Sequence, residues 1–120
     1  MIHLLIVDDH PDIRNLLADR LTKLGYSVST AANGMEAILV TSQTSPSLIL
    51  MDVNMPELDG LEATMRIRAN AESSAIPVIA LTAYSLPEDQ QRAIAAGCDG
   101  FLTKPIDFDE LIQTIERLLG

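Results

Sequence analysis

Three carboxylates, one hydroxyl and one ammonium group stand just after short apolar or β-type runs of this 120-residue chain. They belong to Asp8, Asp9, Asp52, Thr82 and Lys104. If the carboxylates meet, each pair at 4 Å repels by about 4 kcal/mol at an effective dielectric of 20 unless a cation joins them. Because the ligand atoms are all oxygen, the sequence favours a hard cation such as Mg²⁺.

Lys104 cannot bind a cation, so we expect an anion between its ammonium group and the carboxylates. Thr82 offers that anion a hydroxyl donor. A phosphoryl group is an anion that can lie beside Lys104 and accept a hydrogen bond from the Thr82 hydroxyl. Its transfer depends on positioning and on neutralisation of charge, which these groups can supply. A carboxylate can itself be the nucleophile and form an acyl phosphate. Asp52, on a predicted central strand, is the natural candidate.

The elements that must position these groups alternate between strand-like and helix-like patterns. The predicted strands are His3–Val7, Ser27–Ala31, Leu48–Met51, Ile76–Leu81 and Gly100–Thr103. Strict alternation favours an α/β, doubly wound fold: a parallel five-stranded sheet with helices on both faces, in three layers. In such sheets ligands bind beyond the carboxyl ends of the strands, which is where the candidate residues lie.

Length and composition narrow the range of functions. A chain of 120 residues with 48% apolar residues predicts one domain over residues 1–120. The formal charge of −9 argues against direct nucleic-acid binding, and aromatic residues make up only 3%. No apolar run approaches the roughly 18 residues of a membrane span, and no signal peptide is evident. We expect a cytoplasmic protein without membrane insertion.

The two histidines do not favour a zinc site. His3 lies at the start of the first predicted strand, at the opposite edge of the sheet from the carboxylates. His10 lies near the carboxylates but has no imidazole or thiolate partner. His10 is therefore expected to be structural or to face solvent.

The motifs together resemble the receiver domain of two-component response regulators from end to end. They are the acidic pair in IVDDHPDIRNLLADRL, the D-x-x-M-P-x-x-D-G loop in LILMDVNMPELDGLEATMRIR, the hydroxyl strand IPVIALTA and the Lys-Pro turn in GCDGFLTKP. The spacings of 30 residues from Asp52 to Thr82 and 22 from Thr82 to Lys104 are also similar to the family's. The resemblance implies a flavodoxin-like strand order, 2-1-3-4-5.

The resemblance also implies a phosphorylation site. Asp52 is then the phosphoacceptor, and Lys104 contacts the phosphoryl oxygens. Mg²⁺, with Mn²⁺ as a possible substitute, is bound by Asp9, by Asp52 and by the backbone carbonyl of Asn54, whereas Asp8 acts through a bound water.

A second set of residues is implied to convert phosphorylation into a signal. Thr82 turns inward towards the phosphoryl group, and Phe101 changes rotamer with it. Asn54 and Tyr84 occupy positions that tune how fast the acyl phosphate hydrolyses; neither is an acid or a strong base, so we expect a long-lived phosphoryl state. The Lys104–Pro105 peptide bond is expected to be cis.

The family's partners and activity follow by the same resemblance. The phosphoryl donor is a histidine kinase or a histidine phosphotransfer protein, and the signal passes to a downstream effector protein. The surface of helix four (about Leu86–Ala96), strand five and helix five is expected to switch. Such a domain is not a conventional enzyme, but it catalyses its own Mg²⁺-dependent phosphorylation and dephosphorylation at Asp52.

Two rival functions fit the sequence less well. A phosphohydrolase of the haloacid dehalogenase type needs a second Asp two residues after its nucleophile on the first strand; here His10 follows Asp8 by two, and Pro11 follows Asp9. An interacting pseudo-receiver is expected to lack one of the reactive groups, and Asp52, Lys104 and the acidic pair are all present. A stand-alone regulator and a fragment of a hybrid kinase both remain open.

Overall fold

The computed structural model describes residues 1–55, 58–83 and 86–120. Within these ranges, five strands alternate with five helices. In chain order they are β1 (His3–Val7), α1 (Pro11–Lys23), β2 (Ser27–Ala31), α2 (Gly34–Thr44), β3 (Leu48–Asp52), α3 (Gly60–Ala69), β4 (Val78–Thr82), α4 (Pro87–Ala96), β5 (Gly100–Thr103) and α5 (Phe108–Leu119). All strand pairs are parallel and the order is β2-β1-β3-β4-β5. The predicted doubly wound fold and strand order are confirmed.

The two faces of the sheet carry separate apolar cores. Successive residues of a strand point to opposite faces, so alternate residues of β1 and β3 enter different cores. One core combines Leu5, Val7, Ile49 and Met51 with residues of α2, α3 and α4. The other combines Leu4, Ile6, Leu48 and Leu50 with residues of α1 and α5. Burial on both faces explains why β1, β3 and β4 read as nearly continuous apolar runs.

Three helices begin with the same kind of N-cap. The side chains of Asn33, Asp59 and Asp107 accept hydrogen bonds from backbone N–H groups at the starts of α2, α3 and α5. These bonds satisfy donors that the helix itself leaves unpaired. The pattern Ser85–Glu88 is typical of a capping box for α4, but Ser85 lies outside the described residues. Among the helices described, none is long and apolar enough to cross a bilayer.

Two strands differ from their predicted bounds, because β3 ends at Asp52 rather than Met51 and β4 is shifted towards the C-terminus. The apolar run Ile76–Leu81 predicts a strand beginning at Ile76, whereas β4 begins at Val78 and extends to Thr82. Pro77 has no N–H to donate to a ladder, and Ile76 instead closes a turn by donating to the carbonyl of Ser73. The shift brings Thr82 into the sheet, where it pairs with Thr103 of β5.

Candidate functional site

Five of the predicted site residues surround the carboxyl ends of four neighbouring strands. Asp8 and Asp9 follow β1, Asp52 ends β3, Thr82 ends β4, and Lys104 follows β5. The strands β1 and β3 are adjacent, and the chain winds away from them in opposite directions. Such a switch point leaves a crevice between the flanking loops.

Lys104 joins two of the carboxylates. Its Nζ lies 3.1 Å from Asp52 Oδ1 and 3.3 Å from Asp8 Oδ2. Both carboxylate side chains are fully buried, and the lysine side chain is only 19% exposed. The backbone N–H of Lys104 donates to the carbonyl of Thr82, and the Lys104–Pro105 peptide bond is cis. The backbone hydrogen bond fixes the position of Lys104 in the chain, and the two ion pairs hold its ammonium group against the carboxylates.

The two oxygens of Asp52 have different surroundings. Oδ1 accepts hydrogen bonds from Lys104 and from the backbone N–H of Asn54, at 3.2 Å. Oδ2 is buried and accepts no hydrogen bond from the described residues. A buried oxygen that lacks a donor is destabilising on its own and is the atom of this carboxylate most available to a cation or an electrophile.

The electrostatics of this cluster are dominated by burial. Burial raises the pKa of Asp52 to about 6, assisted by the negative charge of Asp8 and opposed by the hydrogen bond from Lys104. Burial alone would lower the pKa of Lys104, but its hydrogen bond and charge interaction with Asp52, together with Asp8, raise this pKa above its usual value. A carboxylate that is hard to ionise next to a lysine that stays charged is typical of functional sites.

The acidic residues fit a divalent cation. Asp8, Asp9, His10 and Asp52 each place a ligand atom within 4.8 Å of those of the other three. The carboxylates supply the oxygen ligands that Mg²⁺ prefers, and Asp52 Oδ2 supplies a buried oxygen without a donor. With Lys104, a divalent cation would balance the three carboxylate charges.

Thr82 and Asn54 contact each other beside the acidic cluster. The hydroxyl of Thr82 donates to Asn54 Oδ1 at 3.2 Å, and the N–H of Ala83 reaches the same oxygen at 3.4 Å. The side chain of Asn54 therefore connects the loop after β3 to the end of β4. Tyr84, the other residue predicted to tune hydrolysis, lies outside the described residues.

A cavity of about 460 Å³ adjoins these two residues. Thr82, Asn54, Phe101 and Arg92 are among the residues that line it, so it extends from the end of β3 to α4. Phe101 is half-buried and packs against the core that contains Met51. Thr82 and Phe101 therefore line the same cavity. Phe101 itself lies on β5, outside the acidic cluster.

Two contacts near Asp8 and Asp52 could not be found from motifs alone. Arg14 Nη1 donates to the carbonyl of Asp8 at 2.9 Å, which ties the loop after β1 to α1. Gly60 carries no positive φ, so it does not supply backbone freedom. A Cβ there would lie 2.1 Å from the carbonyl oxygen of Asp52, so glycine is needed for close approach.

Comparisons with known proteins cover nearly the whole chain. Residues 4–116 match the family described as Response regulator receiver domain. The sensor histidine kinase RcsC of Salmonella typhi is 45% identical over 112 residues, which are 93% of this chain but 12% of that protein. The chain therefore spans about an eighth of the length of this relative.

Two solved structures share both the fold and part of the sequence. The chemotaxis protein CheY4 of Vibrio cholerae superposes with a TM-score of 0.94 and 35% identity over 98% of each chain. The receiver domain of sensor histidine kinase PA1611 of Pseudomonas aeruginosa PAO1, described with a magnesium ion coordinated in its active-site cleft, gives a TM-score of 0.91 and 35% identity, covering 99% of this chain and 98% of that one. This chain belongs to the response regulator receiver domain family, whose members act as phosphoacceptors in two-component signalling.

Proposed function

We propose that residues 1–120 form a single receiver domain in which Asp52 is the phosphoacceptor. The observation that carries this assignment is the asymmetry of the Asp52 carboxylate. Lys104 and the Asn54 N–H hold Oδ1, while Oδ2 is buried without a hydrogen-bond donor among the described residues. An oxygen positioned in this way has a lone pair available for a phosphorus atom entering from the crevice.

The chemistry of the transfer follows from these contacts. Asp52 Oδ2 forms a bond to phosphorus as the bond between phosphorus and the donor's leaving group breaks, and Asp52 becomes an acyl phosphate. Lys104, already 3.1 Å from Asp52, is positioned to neutralise the incoming phosphoryl oxygens. Because such transfer relies on positioning and charge neutralisation, no further acid or base from the chain is needed. The same groups support self-catalysed phosphorylation and dephosphorylation at Asp52 rather than turnover of a separate substrate.

A divalent cation completes this site. Asp9, Asp52 and the backbone carbonyl of Asn54 would bind Mg²⁺, with Asp8 acting through a water and Mn²⁺ as a substitute. The oxygen donor set of the acidic cluster supports this assignment, as does the magnesium ion described for the PA1611 receiver domain. When bound, Mg²⁺ supplies positive charge that reduces repulsion between the carboxylates and a phosphoryl group.

The switch is proposed to begin at Thr82. Its hydroxyl now bonds Asn54, two residues from the phosphoacceptor, and it shares a cavity with Phe101. A phosphoryl group at Asp52 introduces new acceptor oxygens that can compete for the Thr82 hydroxyl. Movement of Thr82 and Phe101 would then alter the surface formed by α4, β5 and α5, while Asn54 and Tyr84 set the lifetime of the acyl phosphate.

The biological context is proposed from the family. The phosphoryl donor is a histidine kinase or histidine phosphotransfer protein, and the altered surface binds a downstream effector protein. We place the domain in the cytoplasm, without direct contact with nucleic acid or insertion into a membrane. The net charge of −9 supports the exclusion of nucleic acid.

Phosphorylation with a small phosphodonor tests the assignment. With acetyl phosphate and Mg²⁺, intact-mass spectrometry is expected to detect one added phosphoryl group, which Asp52→Asn removes. Asp12→Asn is the matched control, because Asp12 is an exposed carboxylate in the first turn of α1. Modification that persists in Asp52→Asn, or sustained hydrolysis of phosphoesters, would contradict the proposed function.

A further inference from the structure

Arg68, near the end of α3, holds the C-terminal end of α4 on the side of the sheet where β4 and β5 begin. Its Nε and Nη2 donate to the carbonyl of Gly97 at 3.0 and 2.8 Å. Nη2 also lies 2.6 Å from Asp99 Oδ2, and Nη1 donates to the carbonyl of Ile76. The Arg68 side chain is only 20% exposed, so these charge-assisted hydrogen bonds are partly shielded from water.

Asp99 extends this anchor to the sheet. Its Oδ2 accepts a hydrogen bond at 2.9 Å from the backbone N–H of Val78, the first residue of β4. Gly97 ends α4 with a φ of 106°, and a Cβ there would lie 2.8 Å from Arg68 Cγ. Glycine is therefore needed both to end the helix and to let the arginine approach. One guanidinium group thus links α3, the end of α4 and, through Asp99, the start of β4.

The two halves of α4 differ in how they pack. Its buried residues, Ala93 and Ala96, both lie in the second half, whereas residues 87–92, all of which the structure describes, are half-buried or exposed. The N-cap residue, Leu86, is 59% exposed, and its side chain has no atom that can accept a hydrogen bond from the first turn. The first half also borders the cavity of about 460 Å³ that Thr82 lines. The helix is therefore held at one end by charged hydrogen bonds and packs little at the other.

We propose that Arg68 is a positioning residue that makes the C-terminal end of α4 the pivot of the phosphorylation switch, so that the helix tilts about Gly97 and its first turn moves. This inference rests on the proposed function and specifies which part of the α4–β5–α5 surface is displaced. Because α4 has 10 residues, Pro87 lies about 15 Å from Gly97. A tilt of about 10° then moves Pro87 by about 2.6 Å, and the adjoining cavity provides space for this movement.

A purely structural arginine would act differently. It would stabilise the fold equally with and without the phosphoryl group, and its loss would not change which end of α4 moves. A pivot instead converts a small shift beside Thr82 into a rotation, because the far end of the helix cannot follow. Without the guanidinium group, the same shift would be transmitted along the whole helix.

Spin-label distances measure the movement of each end. One label is attached through Glu88→Cys or Ala95→Cys, at exposed positions near the two ends of α4, and the other through Gln43→Cys of α2 or Lys23→Cys of α1. Native Cys98 is buried and is left in place. After phosphorylation with acetyl phosphate and Mg²⁺, the distance from position 88 to at least one reference should change by about 2 Å or more. Both distances from position 95 should change by less than about 1 Å, because this position lies within one turn of the pivot.

The test compares these distances in wild type, Arg68→Gln and Arg66→Gln. Arg66 is the matched control, because it is an exposed arginine of α3 that pairs with Glu62 of the same helix. In Arg68→Gln, position 95 should move by about 2 Å or more, whereas Arg66→Gln should behave as wild type. The rate of labelling of Asp52 should differ less than about twofold among the three proteins. If Arg68→Gln does not fold, Arg68→Lys, which keeps the charge but loses the forked contacts, should show the same movement at position 95.

Amide hydrogen exchange in the unphosphorylated protein tests the anchor separately. The N–H groups of Gly97 and Cys98 donate to carbonyls in the last turns of α4. Relative to core amides of β3, their exchange should be at least about tenfold faster in Arg68→Gln and unchanged in Arg66→Gln. Comparison with β3 separates release of the anchor from a loss of global stability.

Four results would overturn the inference. They are equal movement of both ends of α4 in phosphorylated wild type, no movement at position 88, retention of the wild-type distances in Arg68→Gln or Arg68→Lys, and an equal effect of Arg66→Gln. Failure of wild type to be labelled at Asp52 would instead contradict the proposed function, because exchange at Gly97 reports on the anchor without phosphorylation.

Discussion

Replacing Asp52 with Asn is expected to stabilise the metal-free protein at neutral pH. The carboxylate is fully buried, and its pKa of about 6 compares with an ordinary value of 3.8. A raised pKa means that the folded state prefers the protonated carboxyl. The contribution of the Asp52 carboxyl group to the free energy of unfolding is therefore fully present below about pH 4, and it is lost as the pH rises through 6.

The size of the effect follows from that difference in pKa. At pH 7 ionisation of Asp52 reduces the free energy of unfolding by about 3 kcal/mol. Asn has nearly the same shape and no charge, but its amide N–H₂ would occupy a position without a described acceptor, at a cost of about 1–2 kcal/mol. The expected net gain is about 1–2 kcal/mol at pH 7. Near pH 4 wild-type Asp52 is protonated, so the gain should be lost and the variant should be less stable than wild type by about 1 kcal/mol.

Urea unfolding followed by circular dichroism, with a chelator present, measures this difference. Wild type, Asp52→Asn and the exposed control Asp12→Asn should be compared at pH 4.5 and pH 7.5. The control should change the free energy of unfolding by less than about 0.5 kcal/mol. The reasoning is refuted if Asp52→Asn is no more stable than wild type at pH 7.5, or if its advantage is the same at both pH values.

Three further outcomes follow from individual contacts. Gly60→Ala should destabilise the fold by at least about 2 kcal/mol in urea and reduce labelling, because its Cβ would lie 2.1 Å from the Asp52 carbonyl oxygen. Thr82→Ala should remain phosphorylated but lose phosphorylation-dependent partner binding, measured by calorimetry with an isolated effector. Cys98 should react with a thiol reagent at pH 8 at least about 100-fold more slowly in the native than in the unfolded protein. Burial raises the pKa of its thiol to about 11, and its side chain is nearly inaccessible.

Each of these three predictions would be contradicted by one specific result. Normal stability of Gly60→Ala would show that α3 can move away from β3 without loss. Unchanged phosphorylation-dependent binding by Thr82→Ala would remove Thr82 from the signalling route. Rapid native reaction of Cys98 would mean that the α4–β5 region opens readily.

The alternation of patterns was sufficient for the layered α/β architecture, whereas the strand order was predicted only from the family resemblance. Each apolar run of four to six residues must be buried on both faces, and each amphipathic segment between runs must cover one face, so only a parallel layered arrangement remains. The predicted bounds of β1, β2 and β5 agree with the structure. The start of β4 was wrong by two residues, because Pro77 interrupts the ladder within an apolar run.

The collection of Asp8, Asp9, Asp52 and Lys104 at one edge was also foreseeable, because parallel strands present all their carboxyl ends together. What required the tertiary structure is the surroundings of single atoms. The hydrogen-bonded state of Asp52 Oδ1 and the isolation of Oδ2 depend on where Lys104, 52 residues later, places its ammonium group. The approach of Gly60 to the Asp52 carbonyl oxygen depends on how closely α3 packs against β3. Periodicity determines which face of an element is buried, whereas contacts between residues distant in sequence determine which atoms can react.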